Sequence, residues 1–166
     1  MFYYDLILRK VEIKDLKKLF DLKVETMNNH HSTVILNETD QQRWFDSIDK
    51  NVQFPLNIYF IGMDESDDVG IFGLSKINYV NRNANVSCDV FPEFRAKGYG
   101  TKILSSGIKF AKEVMNLNKL CCEILDHNIA SKRMVEKNGF VQEGLRKQQV
   151  YKNGKYIDSA IYGLII

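Results

Sequence analysis

A chain of 166 residues with 45% apolar and 27% charged side chains has the size and make-up of one soluble α/β-sized domain with its own core. A net charge of +2 is too small to point to nucleic acid. No apolar run reaches the roughly 18 residues of a membrane-spanning helix, and residues 1–5 lack the basic start and long apolar centre of a secretory signal.

Leu6 to Val11 reads as a first strand. Lys14 to Met27 reads as a helix with Leu16, Leu19, Phe20 and Val24 on its apolar face. Asn28 to Asn37 starts polar and ends in Val34-Ile-Leu36, which suggests a loop with one buried edge. Thr39-x-x-Gln42 resembles a capping box that would open a second helix burying Trp44, Phe45 and Ile48. Ile58 to Met63 and Val69 to Val80 read as strands, joined by a turn over Asp64 to Asp68. Asn81-Arg-Asn83 is the next turn, and Ala84 to Phe91 the next strand. Thr101 to Met115 is an amphipathic helix, with Ile103, Leu104, Ile108, Ala111 and Met115 near helical spacing. Leu120 to Leu125 is a short strand. Ile129 to Asn138 is a helix stopped by Gly139. Phe140 to Tyr151 and Tyr156 to Ile165 pair across Asn153-Gly154, a strong hairpin signal. The order βααβββαβαββ implies an α/β protein with a mixed sheet. Cys88, Cys121 and Cys122 are odd in number and lie in strand-like runs, so they read as buried free thiols of a reducing compartment, and the cytoplasm is the expected location.

Phe91-Pro-Glu-Phe-Arg-Ala-Lys-Gly-Tyr-Gly-Thr101 carries the chemistry. It joins a strand to a helix start through Arg95-x-x-Gly98-x-Gly100. Glycine allows close backbone approach and positive φ, and a helix N-terminus offers unpaired N–H groups and the positive end of its dipole. Arg95 and Lys97 add charge. A diphosphate held mainly by backbone is the expected ligand. The spacing is neither that of a dinucleotide loop nor that of a P-loop.

This loop resembles the acetyl-CoA pyrophosphate loop of the GNAT acyltransferase superfamily, R/Q-x-x-G-x-G/A. Asn128-Ile-Ala-Ser131 followed by Glu136-Lys-Asn-Gly-Phe140 resembles the second signature of that family. The ending, Glu143-Gly-Leu145, Tyr151-Lys-Asn-Gly154 and Tyr156-Ile-Asp158, resembles the branch of ribosomal-protein, spermidine and amino-sugar N-acetyltransferases. The resemblance is specific from about Ile77 to Ile166. It implies the GNAT fold: one domain over residues 1–166, with a mixed sheet of about seven strands, four helices, and a splay at the acetyl-CoA site. It implies acetyl-CoA as cosubstrate, contacted by Val90, Phe91, Arg95, Ala96, Lys97, Gly98, Tyr99, Gly100, Thr101 and Asn128. The backbone near Val90 would supply the oxyanion donor, and Ser131 would protonate the leaving thiolate.

Two departures shape the catalytic expectation. Where many family members carry an acidic tyrosine, this chain has Val135, and where related strands carry glutamate it has Asn85. Along that strand Asn85, Ser87 and Asp89 share a face, so Asp89 is the expected base, directly or through water. Asn128 and Ser131 also read simply as helix-start residues, and Asp89 as a partner of Arg95 or Lys97. His30-His31 reads as an exposed or substrate-loop pair rather than a metal site, Cys88 is a poor nucleophile candidate, and Arg146-Lys147 reads as a solvated strand end. No metal is expected. The expected acceptor is a primary amine on a small molecule or peptide, with a protein N-terminus or amino sugar ahead of a polyamine. Asp15, Asp21 and Glu25 are interleaved with lysines and form no clear acidic stripe. No nucleic-acid or membrane partner is expected, and a homodimer is the possible assembly. The alternative is a non-catalytic acyl-CoA-binding or regulatory domain of the same fold.

Overall fold

The computed structural model describes residues 2–3, 5–31, 37–48 and 53–166; the expected apolar edge at Val34-Ile-Leu36 lies outside them. The chain divides into two compact units, one formed by residues 1–11, 48–121 and 164–166 and the other by residues 12–47 and 122–163.

The first unit is a meander that becomes a crossover. Strands β1 (Phe2–Tyr3), β2 (Ile7–Lys10), β3 (Ile58–Asp64), β4 (Asp67–Asn78) and β5 (Asn83–Val90) lie in that order and pair antiparallel. Helix α3 (Tyr99–Glu113) then returns the chain so that β6 (Lys119–Leu125) starts parallel to β5, the arrangement that requires a long connection. The β3–β4 turn is tighter than the acidic run suggested: Asp64 pairs with Asp67, so both strands run into it. Apolar residues alternating along the strands meet the apolar face of α3. Phe60 and Phe110 stack edge to face with centroids 4.8 Å apart, and Phe72, Leu74, Ile103 and Leu104 are buried. Gly107 lets α3 settle on β4, because a Cβ there would lie 2.2 Å from the Phe72 ring.

The second unit holds α1 (Leu16–Thr26), α2 (Glu38–Asp46), the last four residues of β6, α4 (Ile129–Lys137) and the hairpin β7 (Val141–Lys152) and β8 (Lys155–Ile165), apart from the end of β8. The hairpin turns at Asn153-Gly154, with Lys152 opposite Lys155 and positive φ at both turn residues. Its core includes Leu19, Leu22, Phe45, Val135, Phe140, Val150, Ala160 and Tyr162. The cap of helix α2 lies at Asn37, two residues before Thr39. Asn37 accepts the N–H of Asp40 at 2.8 Å while the Asp40 carboxylate reaches back to Asn37 N–H, which replaces the Thr39–Gln42 box expected from sequence. Asp15 performs the same reciprocal capping with Glu12 ahead of α1 and is buried there. Lys152 is buried as well. Its ammonium donates to the Met27 carbonyl, and burial holds the amine below the usual lysine range.

Candidate active site

In the first unit, β5 aims the chain at the glycine loop. Asn83, Ala84 and Asn85 pair with Lys119, Leu120 and Cys121, and β5 then runs five residues further, to Val90. Phe91 N–H reaches the Val69 carbonyl at 3.0 Å. Antiparallel ladders alternate, so Asp89 and Phe91 direct their N–H groups to β4, whereas Val90 N–H points to the opposite edge, the one that pairs with β6. The Val90 carbonyl on that edge accepts Arg95 Nε at 3.2 Å. Side chains alternate too. Cys88 turns toward α3, where its thiol lies 3.8 Å from the Gly100 carbonyl, and burial raises its pKa far above the ordinary thiol range. That excludes a thiolate nucleophile. Asp89, half-buried and opposite Ile71, is on the other face with Asn85 and Ser87, as the strand period requires.

A short 3-10 turn over Pro92–Phe94 leads into the loop. Ala96 and Gly98 have φ of +59° and +84°, and α3 starts at Tyr99, two residues before the expected Thr101. The N–H of Arg95 is used by the Pro92 carbonyl and that of Thr101 by the Gly98 carbonyl. Between them, the N–H groups of Ala96, Lys97, Gly98, Tyr99 and Gly100 find no acceptor among the described residues. Space above Gly98 is open, with nothing within 4 Å of where a Cβ would be. Consecutive unpaired N–H groups at the positive end of a 15-residue helix are a concave anion receptor. The donor set fits the diphosphate of acetyl-CoA.

Side chains brace this loop. Tyr99 donates its hydroxyl to Asp64 Oδ2 at 2.9 Å, stacks edge to face on Phe94 at 5.5 Å, and receives Lys102 over its ring at 5.2 Å. The Asp64 hydrogen bond lifts the phenol above its usual pKa. Lys97 Nζ donates to the Glu93 carbonyl at 2.9 Å.

In the second unit, Asn128 caps α4: its Oδ1 accepts Ser131 N–H at 3.1 Å. The Ser131 hydroxyl is half-buried and has no hydrogen-bond partner among the described residues. Val135, on the same helix, is 3% exposed and belongs to the core. Tyr162 lies beneath α4, its hydroxyl 3.0 Å from Glu136 Oε1 and its pKa pushed up to about 12, chiefly by burial.

One cluster escaped the sequence reading. His31 Nε2 is 2.7 Å from the fully buried Ser159 Oγ and 3.7 Å from Glu123 Oε1. Arg146 holds the other oxygen, Glu123 Oε2, at 3.1 Å. Glu123 Oε1 is buried and has no hydrogen-bond partner. Burial lowers the His31 pKa; Glu123 works against that shift. The histidine pair is thus not an exposed one: both are half-buried, and His30 contacts Thr26 Oγ1 at 2.9 Å. Arg146 and Lys147 are exposed, as expected, and both are ion-paired, Lys147 with Asp158 at 2.8 Å. The only sequence signal was Glu123 as the lone charge inside an apolar strand. Among the described residues, no three His, Cys, Asp or Glu side chains converge on a metal-sized site.

Residues 5–141 match the model of the acetyltransferase (GNAT) domain. The chain belongs to the GNAT acetyltransferase family. The spermidine N(1)-acetyltransferase of Vibrio cholerae is 25% identical over 158 residues, 92% of this chain and 88% of its own length. The uncharacterized N-acetyltransferase YoaA of Bacillus subtilis is 24% identical, but the match spans only 61% of this chain and 58% of YoaA. The ribosomal protein uS5-alanine N-acetyltransferase of Escherichia coli is 20% identical over 64% of this chain and 57% of its own. Among solved structures, the spermidine N-acetyltransferase of Vibrio cholerae in complex with CoA and spermine superposes with a TM-score of 0.87 at 22% identity, covering 97% of this chain and 95% of the other. That likeness shows the GNAT fold of this α/β chain. No helix among the described residues is long and apolar enough to cross a membrane.

Proposed function

We propose that this protein transfers the acetyl group of acetyl-CoA to a primary amine of a polyamine. The observation that carries the transfer is the row of unpaired N–H groups from Ala96 to Gly100, which suits the cofactor's diphosphate. For the acceptor, the near full-length relationship to a spermidine N(1)-acetyltransferase reverses the ranking drawn from sequence and puts a polyamine ahead of a protein N-terminus or amino sugar.

Acetyl-CoA supplies the activated thioester; the chain supplies the rest. Val90 N–H is aimed at the edge of β5 and would stabilise negative charge on the thioester oxygen. Asn128 would orient the pantetheine arm as well as cap α4, and Ser131 has an uncommitted hydroxyl for the departing thiolate. Proton removal from the amine has two candidates. Asp89 is the carboxylate expected from sequence, on the face of β5 shared with Asn85 and Ser87. Glu123 is favoured by one specific observation: its Oε1 is buried without a hydrogen-bond partner, which is costly for a carboxylate and suits an incoming ammonium. Three acids of the first helices already have protein partners. Asp15 caps, Asp21 pairs with Lys17, and Asp40 pairs with Arg43.

An acceptor panel tests the reading. Spermidine, spermine, an alanine-initiated peptide and a nucleotide-linked amino sugar are each offered with acetyl-CoA, following thiol release and product mass. Fastest turnover on the polyamines supports the proposal. Faster turnover on peptide or sugar overturns the acceptor, and no thiol release with any amine leaves a non-catalytic acyl-CoA-binding domain.

A further inference from the structure

Three neighbouring strands bring Glu123, Ser159 and Arg146 together. Ser159 stands opposite Arg146 in the β7–β8 register, so the two share a face, and β8 lies between β7 and β6. Arg146 occupies one oxygen of Glu123, Oε2. The other, Oε1, is buried and has no hydrogen-bond partner. His31 stands beside it, with Nε2 at 3.7 Å. That separation is too long for a hydrogen bond and too short to hold a water between the two atoms.

Ser159 places the imidazole instead. Its Oγ has His31 Nε2 at 2.7 Å and the Ile124 carbonyl at 3.5 Å. A carbonyl can only accept, so the one hydroxyl proton points to Ile124 and His31 Nε2–H donates to Oγ. This tautomer also keeps a lone pair of Nε2 from facing the Glu123 charge. A dry anionic oxygen calls for a cation. Two can supply it, an imidazolium at His31 and an ammonium from outside, and like charges at one half-buried carboxylate repel. The charged and titratable groups that act on His31 are Glu123 from β6, Arg146 and Lys152 from β7, and the adjacent His30; of these only Glu123 is an acid. Burial, the largest influence, keeps the ring neutral above the ordinary imidazole range.

On the reading of an amine acceptor, on which this rests, we propose that His31 is a positioning residue of the amine site: as a neutral ring held by Ser159 it yields Glu123 Oε1 to the acceptor ammonium, and as an imidazolium it keeps that oxygen for itself. The two cations therefore exclude each other. The His31 ring of the whole ¹⁵N-labelled chain is titrated by NMR with and without spermidine, and spermidine affinity is measured by calorimetry at about pH 7.5 and about pH 5.5. Alkylammonium groups stay protonated over that range. Spermidine should shift the His31 titration to lower pH and, by reciprocity, should bind about tenfold more weakly at the lower pH. His31→Gln keeps a side-chain N–H for Ser159 but takes up no proton. It should match the parent at the higher pH and lose the pH dependence, whereas Glu123→Gln should bind weakly at both. A His31 titration unmoved by bound spermidine, or the parent's pH dependence retained in His31→Gln, overturns the proposal and leaves the polyamine acceptor standing. If spermidine does not bind, n-butylammonium chloride takes its place. A His31 titration moved to lower pH by that ion supports the mutual exclusion and overturns only the polyamine; an unmoved one overturns the exclusion. The ring titration of the parent decides even if His31→Gln fails to fold.

Discussion

At Gly98 a single residue joins backbone conformation to ligand binding. Its φ of +84° is one that side-chain-bearing residues rarely adopt, while the space over it is open. Gly98→Val should therefore cost about 1–3 kcal/mol of stability and bury the N–H row under a branched side chain. Loss of CoA affinity in calorimetry, at a temperature where circular dichroism shows the variant folded, is the expected result; unchanged affinity would remove the loop from the cofactor site. Asp89 and Glu123 can be separated in the same spirit. The variant that loses the base, Asp89→Asn or Glu123→Gln, should lower kcat by roughly 10²–10⁴-fold and remove the acidic limb of its pH profile. The other should retain it. His31 adds a pH signature of its own. Burial lowers its pKa in the folded state, against opposing attraction from Glu123 and with minor contributions from His30, Lys152 and Arg146. The unfolded chain thus binds the proton more readily. The His31 contribution to stability is present above the ordinary imidazole pKa and is lost as pH falls through the folded value. In urea titrations, His31→Gln should flatten the decline in stability between about pH 7 and pH 5; an unchanged slope would show that other groups set it.

Helices α3 and α4 illustrate how an element fixes what its terminal residues can do. Helix α3 brings its N-terminus to the loop because Gly107 allows close contact with Phe72, 2.2 Å from where a Cβ would stand. Gly107→Ala should force the helix off the sheet and destabilise the protein by about 1–3 kcal/mol, read from the denaturation midpoint. Helix α4 depends on the Asn128 cap, so Asn128→Ala should cost about 1 kcal/mol. Ser131→Ala should leave stability unchanged, since its hydroxyl bonds to nothing described, and slow single-turnover chemistry. A full rate in that variant would reduce Ser131 to a helix-start residue. Apart from the two-residue β1, which the sequence reading lacked, the order of strands along the chain, the hairpin at Asn153-Gly154 and the α3 and α4 boundaries were legible to within two residues, because period and turn chemistry are local. The capping residue of α2 was not. Asn37 outcompeted Thr39 for the cap, a choice between two short-range options that depends on which N–H the chain presents first.

For the whole molecule, cofactor binding and stability are linked. Ligand that binds only the folded chain should add about 2.7 kcal/mol at a concentration one hundred times its Kd. CoA should therefore raise the unfolding midpoint of the parent protein and of Ser131→Ala, but not that of Gly98→Val; a rise in all three would point to a site elsewhere. The sequence by itself determined the GNAT order of strands and helices, the glycine loop and the absence of an acidic tyrosine at Val135, because each is written in neighbouring residues. Only tertiary structure decided which loop donors are unpaired, with Arg95 and Thr101 N–H spent internally and Ala96 to Gly100 left over. It alone brought His31, Glu123 and Ser159 together across 128 positions of chain. It also left one oxygen of Glu123 buried without a hydrogen-bond partner. Whether a polar group is satisfied depends on atoms far away in sequence, and no local pattern encodes that.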